Sequence, residues 1–166
     1  MELIKSIIIL DPPSKYVDRR KNKIDEKTGK LKETTYYLTA NLFYASQNTF
    51  LTNKVVDVSK SFLYDYFKDL PKLCKMNIEI IYCKNEDNFD LDNKGYFWLK
   101  CILDLIKEPN KRKTKKKFIQ TIKPLNIIQD DSCKFIKDIS LRYKKEVNHK
   151  MIVNIYGELF NEQTLF

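Results

Sequence analysis

Residues 76–107 read MNIEIIYCKNEDNFDLDNKGYFWLKCILDLIK, and the fold turns on how this stretch divides. Its first part, MNIEIIYC at 76–83, alternates Ile78, Ile80 and Tyr82 with polar neighbours at the start, the period of a half-buried strand. A break follows at Asp87-Asn88. Residues 94–106 then carry Phe97, Cys101 and Leu105 four apart, with Trp98 and Ile102 beside them, which predicts a helix. Glu108-Pro109-Asn110 ends it. Between strand and helix stand Asp90 and Asp92, one residue apart, and then Asn93.

Upstream, LIKSIIIL at 3–10 is β-branched and apolar and reads as a strand closed by Asp11-Pro12-Pro13. Residues 14–33 are charged, contain Gly29, and are expected to form a mobile basic hairpin or loop. Residues 35–45 suggest a strand and a turn. Val55, Val58, Phe62 and Phe67 lie near helical spacing, so 55–69 is expected to be a helix closed by Pro71. Downstream, a basic insertion spans about 108–124. The apolar run 125–128 leads into Gln129-Asp130-Asp131-Ser132, and 133–143 and 150–159 read as strands. No repeat or boundary divides the chain. The expected fold class is α+β: a single domain over 1–166, with a mixed β-sheet and two main helices packed on it.

A hydrophobic fraction of 43% over 166 residues supports a core, which excludes wholesale disorder. Lys and Arg outnumber Asp and Glu by 31 to 22, a balance that favours polyanionic partners. No run reaches the roughly 18 to 20 apolar residues of a membrane span. MELIKSIIIL lacks a cleavage site, so an intracellular protein without membrane partners is expected, in the cytoplasm of a bacterium or of a virus-infected cell. Cys74, Cys83, Cys101 and Cys133 are scattered and read as buried free thiols, neither zinc site nor disulfide frame. The single histidine, His149, is expected at the surface or a strand edge. One histidine leaves no material for catalytic triads or His-rich metal sites, so chemistry falls to carboxylates, lysines and a bound metal.

In extended backbone, Asp90 and Asp92 would project from one face, within reach of one cation. Asn93 would cap the helix or support a ligand from behind. Asp130 and Asp131 stand at a second strand boundary. If the strands at 76–83 and 133–143 are neighbours, the two acidic pairs can converge. Carboxylates so crowded repel one another, and a hard cation such as Mg²⁺ relieves the repulsion. Lys100 and Asp104, four apart on the helix, would place an ammonium near a phosphate and fix it there. The plainer readings are helix-start acids favoured by the helix dipole and a turn at 130–132. Asp90-x-Asp92-x-Lys94-Gly95 opens like a calcium loop, but Lys94 at its fifth position and Cys101 at its twelfth exclude that.

FDLDN, WLKCILDLI and IIQDDSCKFI, in this order, resemble the RusA family of Holliday junction resolvases over roughly residues 76–156. The resemblance implies a RusA-like fold and a homodimeric, Mg²⁺-dependent endonuclease, with Mn²⁺ able to substitute, that cuts four-way DNA by paired symmetric nicks. It implies Asp90, Asp92 and one or both of Asp130 and Asp131 as catalytic metal ligands, with Lys100 as the catalytic lysine. Lys100 stands four residues later than the family spacing, and Lys94 is the competing candidate. The nuclease expectation rests on the two acidic pairs meeting in space.

Residues 107–123 hold eight Lys or Arg against one acid, and 15–32 hold eight against three. They read as solvated loops or as phosphate contacts. On the second reading Arg19, Arg20, Lys94, Lys111, Arg112, Lys113, Lys115, Lys116 and Lys117 bind DNA. Tyr36, Tyr37, Phe43 and Tyr44 are expected mostly in the core or a dimer interface, with stacking on opened bases as the alternative. The alternatives to junction cleavage are a non-catalytic nucleic-acid-binding protein, a Mg²⁺ nuclease for other branched or single-stranded DNA, and a ribosome- or membrane-associated basic protein.

Overall fold

Alternating apolar residues build the main sheet. In the computed structural model, which describes residues 1–45, 49–87, 89–109 and 122–160, the chain runs β1 (Glu2–Leu10), β2 (Lys15–Ile24), β3 (Leu31–Tyr37), α1 (Asn41–Ala45), α2 (Thr49–Phe67), β4 (Leu73–Lys84), α3 (Leu91–Ile106), β5 (Ile136–Lys145) and β6 (Lys150–Leu159). The result is a single α+β domain. A four-stranded mixed sheet has the order β1-β6-β4-β5, and β2-β3 forms a separate two-stranded ribbon. β6 runs antiparallel to both β1 and β4, whereas β5 runs parallel to β4.

One sheet face carries Ile7, Ile9, Ile78, Ile80, Tyr82, Met151, Val153 and Ile155, all buried. α3 packs on β4 and β5, and α2 packs on α3. The stripe expected on α3 is the core of the protein: Phe97, Cys101, Ile102 and Leu105 are 0% exposed and Trp98 is 1% exposed. Phe62 of α2 meets Trp98 with ring centroids 5.8 Å apart, and Phe43 of α1 stacks on Phe97 at 5.5 Å.

Several boundaries differ from the sequence reading. α3 begins at Leu91 rather than 94, because Asp90 caps it. α2 begins at Thr49, six residues early. The expected turn after β3 is the short helix α1. β5 begins at Ile136 rather than 133, because residues 132–135 form a turn in which Phe135 and Ile136 donate to the Ser132 carbonyl. The charged stretch 14–33 takes the hairpin form, β2 and β3 paired from Lys15–Tyr37 to Ile24–Leu31. Its tip places Gly29 at φ +65°, a conformation open to glycine. Cys83 and Cys101 are buried free thiols as expected, but Cys74 is only half-buried and Cys133 is exposed, since it lies in the turn before β5. No helix among the described residues is long and apolar enough to cross a membrane.

Candidate functional site

α3 starts with a side-chain cap. Asp90 Oδ1 accepts from the Asn93 backbone N–H at 3.2 Å, and Asp90 Oδ2 accepts from Asn93 Nδ2 at 3.1 Å. This is the role of an N-cap acid three residues before its partner. The Asn93 Oδ1 in turn accepts from Asn41 N–H at 3.1 Å, and its carbonyl accepts from Ala40 N–H at 2.8 Å, so the start of α3 is tied to the start of α1. Asp92 lies exposed in the first helical turn, close to Asp90. The Asp92 carboxyl, as a donor when it carries the proton, and the donors of Asn93 hold the Asp90 carboxyl below its ordinary range. The two acids therefore do share one location, but on a helix start and not on the extended backbone expected from their spacing.

Phe89 sets this location. Its ring stacks between Tyr82, at 4.7 Å, and Tyr143, at 4.8 Å. The Lys94 ammonium lies 4.7 Å from the Phe89 ring centroid and 3.4 Å from Glu86. The Tyr143 hydroxyl is 2.5 Å from the carbonyl oxygens of both Lys84 and Glu86. His149 Nε2 is 3.0 Å from the Tyr82 hydroxyl, immediately before β6, the strand-edge position expected. Burial and the nearby Lys84 charge push its pKa down. The sequence reading missed Phe89 and Tyr143. Their signal was three aromatics, 82, 89 and 143, flanking the acids.

The second acidic pair lies at the far end of α3. Lys107 ends the helix and bridges to Ile128, while Leu125 and Ile127 donate to Leu105 and Ile106. This zipper carries the chain into Asp130 and Asp131. Lys100 Nζ is 3.1 Å from Asp104, the i, i+4 pair expected, and 3.9 Å from Asp131. Lys107 Nζ is 2.7 Å from Asp104 and 3.1 Å from Asp131. Burial would raise the Asp131 pKa, but the Lys107 hydrogen bond and the Lys107 and Lys100 charges outweigh it and leave it lowered. Asp130 accepts from the Asp131 N–H at 2.9 Å. A cavity of about 390 Å³, lined by Lys107, Gln129, Asp130 and Lys134 among others, opens beside them.

The expected convergence of Asp90 and Asp92 with Asp130 and Asp131 does not occur within the chain. The strands are neighbours, but they run parallel, so the end of β4 and the start of β5 lie at opposite ends of the strand pair. Met76 pairs with Ile136 and Lys84 with Lys145, which spaces the two levels roughly 26 Å apart at 3.3 Å per residue. Along α3, Asp92 and Asp104 are about 18 Å apart at 1.5 Å per residue. The expected centre is therefore two sites. One is the Asp90–Asp92 pair with Asn93 and Lys94. The other joins Lys100, Asp104, Lys107 and Asp131, where lysines already neutralise the acids.

Among the described residues no group of three or more His, Cys, Asp or Glu assembles in a form that could hold a metal. Two carboxylates with water and a phosphate are nevertheless a normal Mg²⁺ environment, and the oxygen-only pair Asp90–Asp92 fits it. The backbones of Arg19 and Arg20 lie in β2. Their side chains, and Lys111, Arg112, Lys113, Lys115, Lys116 and Lys117, lie outside the described residues. Of the four aromatics considered for stacking, Phe43 is half-buried against the core and Tyr36 stacks on Tyr16 at 6.5 Å, while Tyr37 and Tyr44 are 69% and 74% exposed. No family model, no curated protein and no solved structure matches the chain.

Proposed function

We propose that this protein binds nucleic acid through backbone phosphates. One observation carries this reading: the basic stretch 15–32 forms a ribbon of its own, β2–β3, outside the main sheet. A two-stranded ribbon matches the width of a DNA major groove, and lysines along it neutralise phosphates without reading bases. The proposed setting is the inside of a bacterial or virus-infected cell. Titrating labelled four-way, duplex and single-stranded DNA tests it. Binding to none of them at low salt overturns it.

A second reading is favoured by the contact between Asp90 and Asp92. Two carboxyls side by side repel one another when both ionise, and a divalent cation eases that repulsion. On this reading the protein is a RusA-like, homodimeric, Mg²⁺-dependent nuclease of branched DNA. Asp90 and Asp92 hold the ion, and Asn93 fixes Asp90. Lys94, beside Asn93 and paired with Glu86, approaches the phosphate, whereas Lys100 lies at the other end of α3. Bound Mg²⁺ supplies an acidified water and neutralises phosphate charge. The four-carboxylate centre is not part of this reading. Incubating four-way junction with protein and Mg²⁺, with and without chelator, and with Asp92→Asn, decides it. Paired nicks lost on chelation and in the variant support cleavage. Binding without product leaves the first reading alone.

A further inference from the structure

The main sheet has two outer strands, and they are built differently. β5, IKDISLRYKK, carries Lys137, Asp138, Arg142, Lys144 and Lys145, the charges that discourage another strand from pairing with an edge. β1, ELIKSIIIL, carries only Glu2 and Lys5 and no proline or glycine. Among the described residues it pairs with β6 alone, and its residues make no backbone hydrogen bond outside that ladder. Leu3, Ile8 and Leu10 are 56%, 56% and 64% exposed. The exposed isoleucine is not isolated. Ile8 pairs with Ile152, and Ile152 with Ile81, so an apolar row crosses the uncovered face of the sheet and stops at the β1 edge.

We propose that β1 is the interface between two copies of this chain, paired antiparallel across a two-fold axis into one eight-stranded sheet. Antiparallel pairing of a strand with itself is self-complementary, as a two-fold contact requires. With the regular stretch 6–10 of each copy overlapped, beyond the irregularity between Leu3 and Lys5, Ile8 lies on the axis and Ile7 faces Ile9 of the second copy, so no like charges stand opposite. The apolar row continues across the junction, and the free backbone groups of β1 gain partners. The guarded β5 edge closes the assembly at two copies, because the main sheet has one unguarded edge among the described residues. The inference stands on β1 itself. It gives the dimer of the nuclease reading a surface, and a chain that dimerises yet neither binds nor cuts DNA leaves it intact.

The test is the solution mass of the full chain at micromolar concentration. The expected result is twice 19.9 kDa for the wild type, and 19.9 kDa for Ile8→Lys/Leu10→Lys with an unchanged far-UV spectrum. Both side chains already face solvent, so the monomer keeps its core. Hydrogen exchange of the wild type is the second readout and needs no variant: a paired β1 protects consecutive amides, a free edge only alternate ones. A monomeric wild type, a double variant that remains dimeric, or alternate-amide exchange in β1 overturns the proposal.

Discussion

The Lys107 ammonium lies 3.1 Å from the Asp131 carboxylate and ties the last turn of α3 to the loop entering β5. Both side chains are partly exposed, so solvent screens the pair and its worth is modest. Lys107→Met is expected to cost about 1 kcal/mol at neutral pH. The folded-state pKa of Asp131 is lowered, so the contribution is complete above the ordinary carboxylate value, about 4, and fades as pH falls through the lowered one. Urea unfolding at pH 7 and pH 3 measures it. A gap between wild type and variant that widens in acid would sink the assignment.

The Asp90–Asp92 contact makes a different claim about metal. If these two acids hold Mg²⁺, the ion at about a hundred times its dissociation constant adds roughly 2.7 kcal/mol of stability. The rise in melting temperature is expected to vanish in Asp92→Asn and to persist in Asp131→Asn. Equal loss in both variants would show that the two ends of α3 act as one site after all.

Tyr143 anchors the loop that delivers Asp90. Tyr143→Phe keeps the stack on Phe89 but removes the hydroxyl beside the Lys84 and Glu86 carbonyls. A loss of about 1 kcal/mol is expected, with faster amide exchange confined to residues 84–87. Exchange that speeds up throughout β5 instead would mean that the hydroxyl supports the sheet rather than the loop.

The ion pair of Lys60 and Asp57 on α2, 2.9 Å long, is sealed, with side-chain exposures of 4% and 9%. Removing one partner breaks a buried ion pair, so Lys60→Met is expected to cost about 3 kcal/mol. The double variant Asp57→Leu/Lys60→Met is expected to recover much of it. Additive losses in the double variant would contradict the pairing.

How far the sequence could be read follows from these elements. The strands at 76–83 and 150–159 and the core stripe of α3 were legible, because periods of two and of nearly four leave a mark in residue order. The start of α3 was not: Asp90 followed by Asn93 three residues later is a cap pattern, but it reads equally well as a pair of ligands. That β4 and β5 are neighbours stood only as a condition for the acids to meet; the fold meets it, with the strands parallel. Parallel pairing demands a crossover, here α3, and the crossover separates the acids that sequence reasoning had brought together. Strand direction depends on long-range packing that residue spacing does not encode.

The central claim is phosphate-driven nucleic-acid binding, and the salt dependence of affinity for a four-way DNA junction tests it most directly. Six or more phosphate contacts predict that affinity falls about a thousandfold or more between roughly 50 and 200 mM salt, alike for junctions of unrelated sequence. An affinity that stays level across that range, or no binding at its lower end, would contradict the account.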